Sequence, residues 1–428
     1  MSEVNFPQFR DLLLEKNRVP RRLNPTAAEK KQQFLLSLDS GGIKTREITL
    51  CPCGAHSLEK LTETDRFGLP FGSLICRDCG LVLTSPSLAR ESLAEYYEKY
   101  YHALNYGHLH MHEQQALFKL GQGKKIFQLL QKFLNGRKTL DVLEIGAGTG
   151  NVLYELKQEA ALHNINVTET ATEYSSDCLS ECEDKGINAV YGDADTMLAA
   201  GKTFDIVILS HVFEHLTEPL AETEKLKKLL KPDGLLYIEV PGLMNIHAIN
   251  TYNFDFLEYL THAHIHNFNS VSLQNIMALG GFRPLFISEA VEAVFILSGK
   301  DERADCSGNY TAIMEYLEKL VYCREFLKDG IDSFRRGLNN AKEELGNVHR
   351  WHEHEKREAE KYARWHKSEK ENFLKTSKWL DTEKKVISEL MHTLDEYFKT
   401  PYTSISVKIN KFKSIRAVFE KYRKRYLR

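Results

Sequence analysis

Asp141-Val142-Leu143-Glu144-Ile145-Gly146-Ala147-Gly148-Thr149-Gly150 is the stretch whose reading decides the fold. Val142, Leu143 and Ile145 make an apolar run that reads as a buried strand. Three alternating glycines follow, where the backbone can turn tightly and approach a ligand that any Cβ would obstruct. A strand emptying into a glycine loop and a helix is how open α/β sheets bind nucleotides. The dinucleotide fingerprint needs a third glycine where this chain has Asn151; the spacing here is Gly-x-Gly-x-Gly behind Glu144.

Working outward, the elements alternate as a doubly wound sheet requires. Ile165 to Thr172 reads as a second strand ending at Glu173, whose carboxylate can accept hydrogen bonds from both ribose hydroxyls of a nucleoside. Asn188 to Tyr191 is a short third strand before Gly192-Asp193, and Phe204 to Leu209 an apolar fourth strand before Ser210-His211-Val212-Phe213-Glu214-His215. Lys231-Pro232-Asp233-Gly234 turns into a fifth strand, Leu235 to Val240; Ser270 to Leu279 is a helix, and two last strands end near Leu297.

This order resembles the class I S-adenosylmethionine (SAM)-dependent methyltransferases, with motif I at Glu144 to Gly150, over roughly residues 136–300. The resemblance implies a Rossmann-like α/β core and SAM as cofactor. It places Glu144, Gly146, Gly148, Gly150, Glu173, Asp193 (facing the adenine amino group), Ser210 and His211 beside that cofactor. Glu214 and His215 read as structural residues at a helix start.

With 428 residues the chain is long enough for this core and smaller modules, and 57 Lys and Arg against 59 Asp and Glu give a net charge of −2, so no overall field points to nucleic acid or membrane. No apolar run reaches a membrane span and the first residues lack a basic, then hydrophobic, segment, so the expected location is the cytoplasm. Eight cysteines in such a chain point to metal ligands or core positions rather than disulfides.

Residues 1–46 are polar with short helical patterns. In 47–90, Cys51-Pro52-Cys53 and Cys76-Arg77-Asp78-Cys79-Gly80 form two clusters, the second in the Cys-x-x-Cys-Gly form of a zinc knuckle. Structural zinc held by Cys51, Cys53, Cys76 and Cys79 is the expectation, with His56 an alternative to one thiolate of the shortened first pair. The layout resembles the zinc-binding domain that precedes the core in sugar C-methyltransferases and their relatives.

Residues 91–135 are Tyr-rich. Tyr96, Tyr97, Tyr100, Tyr101 and Tyr106 either pack a helix between domains or close a lid, and the resemblance makes Tyr101 and Tyr106 contacts to the methionine end of SAM. His108, His110 and His112 read as a surface cluster. The insert after the fifth strand carries Thr261-His262-Ala263-His264, where the sugar C-methyltransferases have His-Glu-His. Deprotonating carbon needs a strong base, and Ala263 removes the carboxylate; a hydroxyl asks only for a placed histidine, with His264 first and His262 second as the catalytic candidates.

From 308 to 400 a seven-residue register through Leu338, Leu345, Ala359, Phe373, Leu380, Ile387 and Leu394 reads as a coiled coil, and hence a homo-oligomer. Trp351, Trp365 and Trp379 recur every two heptads. The 401–428 tail sets nine basic residues against a lone Glu420, with Phe412, Ile415, Phe419, Tyr422 and Tyr426 at helical spacing. That pattern fits a helix on an anionic membrane surface, such as the inner face of a bacterial membrane, better than nucleic acid. The expectation is a SAM-dependent methyltransferase acting on a sugar or glycan hydroxyl in surface-polysaccharide synthesis. C-methylation of a nucleotide-activated sugar and a coiled-coil scaffold with a SAM-binding core are the alternatives.

Overall fold

The computed structural model describes residues 21–107, 120–299 and 303–355, and part of 374–392. The chain divides into two units, one of residues 1–246 and 255–318 and one of 247–254 and 319–428.

In the first unit, a helix over Pro25–Asp39 starts on Asn24, whose side chain caps Ala27 N. Five short strands follow: β1 (Thr45–Arg46), β2 (Leu58–Thr62), β3 (Gly72–Cys76), β4 (Val82–Ser85) and β5 (Ser87–Leu88). β2, β3 and β4 are antiparallel neighbours, and β1 pairs with β5. The core strands are β6 (Thr139–Ile145), β7 (Asn166–Glu173), β8 (Asn188–Tyr191), β9 (Phe204–Ser210) and β10 (Leu230–Glu239), then β11 (His266–Asn267), β12 (Phe282–Ile287) and β13 (Glu292–Leu297).

Seven of these form one sheet in the order β12-β13-β10-β9-β6-β7-β8, parallel except for β13. The central strands are apolar on both faces because each face is covered. Leu143, Val207, Leu209, Leu236 and Ile238 enter one core, whereas Leu140, Val142, Ile206, Ile208, Leu235 and Tyr237 enter the other. The doubly wound fold is as read from the sequence, with one difference. The Lys231 to Gly234 turn is absorbed into β10 as an irregularity between Leu230 and Leu235, with Asp233 at φ 58°. Strand order reverses between β6 and β9, the switch point where such sheets bind ligands.

β11 belongs to neither half of this sheet. It pairs antiparallel with β4, His266 opposite Leu83 and Asn267 opposite Val82, so the insert of the core domain completes a four-stranded sheet of the cysteine module. Cys51, Cys76, Cys79 and Leu81 share one apolar cluster with Phe213, Phe268 and Leu273, so the module and the core fold as one body.

A helix over Asn309–Glu355 follows. Its first turn is no coiled coil: Asn309 Nδ2 donates to the Cys79 carbonyl at 2.7 Å and Tyr310 OH to Glu59 Oε2 at 2.8 Å, docking the helix start on the cysteine module. In the second unit, the seam residues Leu345 and Ile387 are 52% and 46% exposed. Most other seam side chains and the Trp351 side chain are not among those described, and Trp365, Trp379, His108, His110, His112 and the 401–428 tail lie outside the described residues. Among the described residues no helix is long and apolar enough to cross a membrane.

Candidate functional site

The loop after β6 has the conformation its glycines predict. Gly146, Gly148 and Gly150 have φ of 67°, 56° and 75°. A Cβ on Gly146 would lie 2.7 Å from Val212 Cγ2, and one on Gly150 2.7 Å from Ile187 Cδ1, so these two glycines are also needed to pack the loop. Gly146 N and Ala147 N donate to the Thr172 carbonyl at 2.8 and 3.2 Å, which ties the loop to the end of β7. There Glu173 Oε2 accepts from Gly148 N at 2.9 Å, and Oε1 from Tyr174 N at 2.7 Å and Ser175 N at 3.1 Å. Glu173 therefore sits at the mouth of the glycine loop, and of its roughly four acceptor sites one, on Oε2, is left for a ligand hydroxyl.

The other expected contacts are placed less directly. Glu144 is fully buried on β6. Asp193 caps the helix over Ala194–Ala199 in a capping box with Thr196, its Oδ1 accepting from Asp195 N at 2.9 Å. Ser210, also buried, donates to Glu239 Oε2 at 3.2 Å. His211 takes φ 57°, which carries the chain off β9 toward Glu214. An aromatic pair escaped the sequence reading: Tyr174 and Tyr191, at the ends of β7 and β8, stand edge to face at 5.3 Å and are both exposed.

The tyrosine-rich segment divides its rings between two neighbourhoods. Tyr96 and Tyr100 are buried in a cluster with Phe34, Phe67 and Phe71, whereas Tyr97 and Tyr101 present their rings edge-on to His215 at 6.1 and 6.4 Å. Tyr106 follows Tyr101 at 6.2 Å and is more exposed. Burial pushes His102 on the same segment down, and the Glu173 charge opposes it.

The two candidate histidines have different surroundings. His262 is fully buried, its Nδ1 2.6 Å from Asp65 Oδ2 and its ring boxed by Phe34, Phe67, Phe71 and Tyr96. Asp65 Oδ1 also accepts from Phe67 N and Leu69 N, so this pair pins a loop of the cysteine module to the insert. His264 instead meets residues from the end of β9: its Nε2 lies 4.0 Å from Glu214 Oε1 and its ring 4.9 Å from that of His215. Glu214 Oε1 is also 3.6 Å from His215 Nε2 and 3.7 Å from His211 Nδ1. Burial raises the Glu214 carboxyl, but His215, His211 and His264 outweigh it and bring it to about 2. Burial, then His215, holds His264 well below the ordinary imidazole range, and hence neutral. Glu214 and His215 do lie in a short helical turn, Phe213–His215, as read from the sequence, and their side chains meet His264 there. Their signal was the His-x-x-Glu-His spacing at a strand's carboxyl end.

The four cysteines converge as their spacing predicts. Their sulfurs lie within 4.8 Å of one another, with Cys51 to Cys79 at 3.6 Å and Cys53 to Cys76 at 3.7 Å. Tetrahedral zinc with bonds of about 2.3 Å sets sulfurs about 3.8 Å apart, so the donor set and its spacing fit that ion. Hydrogen bonding, first with Cys53, holds the Cys51 thiol far above its ordinary range, and with Cys51 first holds Cys76 far below. Four thiolates cannot share this space without a cation. His56 is exposed and faces the Thr49 carbonyl at 3.3 Å, outside the cluster.

Residues 118–285 match the family model of a methyltransferase domain. A ubiquinone biosynthesis O-methyltransferase of Parvibaculum lavamentivorans is 32% identical over 101 residues, 23% of this chain and 39% of that protein. A malonyl-[acyl-carrier protein] O-methyltransferase of Halalkalibacterium halodurans is 28% identical over 107 residues, 24% of this chain and 39% of that protein. Among solved structures, a plantazolicin methyltransferase is similar at 19% identity and a TM-score of 0.33, over 50% of this chain and 84% of its own. The chain spans about two fifths of the length of the curated relatives it matches. Its first unit carries a methyltransferase domain, and the matched residues begin after the cysteine cluster and end before the long helix.

Proposed function

We propose that the protein is a SAM-dependent methyltransferase that methylates a hydroxyl oxygen of a sugar or glycan. The observation that carries this reading is the meeting, at one switch point, of the Gly146 to Gly150 loop with Glu173 and of half-buried histidines around the buried Glu214 at the end of the neighbouring strand β9. SAM, when bound, supplies an electrophilic methyl group on a sulfonium. Glu173 holds its ribose, the glycine loop leaves room for its methionine portion, and Tyr101 and Tyr106 close over it. The neutral imidazole of His264 stands ready to draw the proton of an acceptor hydroxyl. The names of the curated relatives favour oxygen as the methylated atom.

One observation favours a second reading. Glu214 brings to His264 the carboxylate that Ala263 lacks, 4.0 Å from Nε2, which restores a Glu-His pair suited to deprotonating carbon in a nucleotide-activated sugar. Transfer from SAM labelled in the methyl group to candidate glycans and nucleotide sugars, with the product read by carbon NMR, tests both. A methyl on oxygen supports the first, a methyl on carbon the second, and no SAM binding by calorimetry removes both.

The remaining parts complete the proposal. Zinc in the cysteine cluster holds the module together, the seam containing Leu345 and Ile387 joins copies of the chain, and the basic, aromatic tail rests on an anionic membrane surface. Loss of liposome flotation on deleting 401–428, with SAM binding intact, tests the last of these.

A further inference from the structure

The carboxylate of Glu214 is 1% exposed, and neither of its oxygens has a hydrogen-bond partner. Burying a carboxylate this way is costly unless a cation or donors reach it. Three imidazoles surround it, yet at 3.6 to 4.0 Å they are too far to be donors in ordinary hydrogen bonds. The tautomer of His215 sharpens the point. Its Nδ1 lies 2.8 Å from the Ala263 carbonyl, which can only accept, so the proton is on Nδ1. In the neutral ring Nε2 then turns a lone pair, not a proton, toward Glu214 Oε1. Acceptor faces acceptor, with a gap between them.

We propose that Glu214, His215 and His264 form a divalent transition-metal site in the methyl-transfer centre, separate from the cysteine cluster. One ligand atom from each of the three residues falls within 4.8 Å of the others. Nitrogen and oxygen ligands at about 2.0 to 2.2 Å from a tetrahedral ion lie about 3.4 Å apart, so closing on one shortens the two separations from Glu214, now 3.6 and 4.0 Å, by about 0.2 and 0.6 Å and the one between the imidazoles by about 1.4 Å at most. Two imidazoles and a carboxylate suit zinc and its neighbours rather than magnesium or calcium. The Nδ1–H bond from His215 to a backbone carbonyl is the outer support that metal-ligating histidines ordinarily have. Three protein ligands leave an open position, as in catalytic rather than structural zinc sites.

This inference rests on the methyltransferase reading and deepens it. An acceptor oxygen at the open position would lose its proton more readily, that proton passing to His211, which is more exposed (34%) than His215 or His264 (15% each). The oxygen lone pair then forms the O–CH3 bond as the S–CH3 bond breaks with its electron pair left on sulfur. His264 serves as a ligand in this arrangement, and the insert that carries it selects acceptors able to offer an oxygen to the ion.

The test uses the full-length wild-type protein, stripped of metal and titrated with cobalt, alongside metal analysis of protein purified without chelator. The expected result is a second ion beyond the one in the cysteine cluster, with cobalt bands that lack thiolate charge transfer. His215→Ala and His264→Ala, verified as folded by circular dichroism, should each lose that ion and keep the thiolate-bound one. Wild-type protein whose cobalt spectrum is thiolate-bound only, with no second ion at saturation, overturns the proposal. SAM calorimetry on the same sample separates the two readings: SAM bound without a second ion refutes the metal site alone, and a chain that binds the ion but no SAM refutes the methyltransferase reading.

Discussion

Thr84 Oγ1, on β4 of the cysteine module, donates to the backbone carbonyl of His264 at 2.6 Å. The next contact repeats the theme, Thr84 N donating to the Ile265 carbonyl at 2.9 Å. The module therefore positions the insert that bears the candidate catalytic histidine, and β3, β4 and β11 connect the cysteines to it. Cys76→Ser with Cys79→Ser should release zinc and reduce methyl transfer far more than SAM affinity, because the glycine loop and Glu173 lie on strands of the other sheet. Thr84→Val, a smaller change, should cost about 1 kcal/mol of stability for the lost hydrogen bond and lower turnover. Metal analysis, calorimetry and turnover on the same preparations check this; equal losses of SAM affinity and turnover would count against it.

For the cofactor, Gly148→Val should abolish SAM binding. A β-branched residue at φ 56° is strained by about 1 to 2 kcal/mol, and its side chain would also crowd the loop where a ligand must approach. Glu173→Ala should weaken binding by about 1 to 3 kcal/mol through loss of charge-assisted bonds to the ribose. Near-native affinity of either variant in calorimetry would move the cofactor site elsewhere.

His262 and His264 should separate cleanly. His262→Asn removes a fully buried ring from an aromatic box and weakens its tie to Asp65, so the melting temperature should fall while turnover per folded molecule persists. His264→Asn changes a side chain that is 15% exposed, so it should melt close to wild type and lose turnover. The reverse pattern would return the catalytic role to His262.

Much of the core was legible because its signals are local. The apolar runs of β6 to β10 and the Gly-x-Gly-x-Gly turn each follow from a few consecutive residues, and the structure places them within a residue or two, except that β10 starts early. The cysteine cluster was legible for the same reason, as the cysteines sit in pairs in two short turns. The site was not, because it depends on residues far apart in sequence. Nothing near Glu214 shows that His264 will lie beside it, and nothing near His262 shows that Asp65 will bind its ring. Both meetings depend on β11 leaving the core sheet to pair with β4, a choice made by tertiary packing rather than by the two residues of that strand.

The last prediction concerns acid. His266 is buried on β11, and desolvation, with Arg46 adding to it, holds its imidazole down at about 3. In the unfolded chain the same ring takes a proton near pH 6.5. Between these values the unfolded state binds a proton that the native state refuses, so stability is full above about pH 6.5 and declines as the pH falls toward 3. One such group contributes a slope of about 1.4 kcal/mol per pH unit, and His264, displaced in the same direction by its burial, adds to it over part of the window. His266→Phe keeps a ring against Phe268, whose centroid is 5.8 Å from that of His266, and removes the titrating group. Chemical denaturation at intervals from pH 7.5 to pH 4.5 should therefore show the wild type losing stability more steeply than the variant, even if the variant starts lower. Parallel curves for the two proteins would mean that His266 is protonated in the native state or that its ring is not buried in solution.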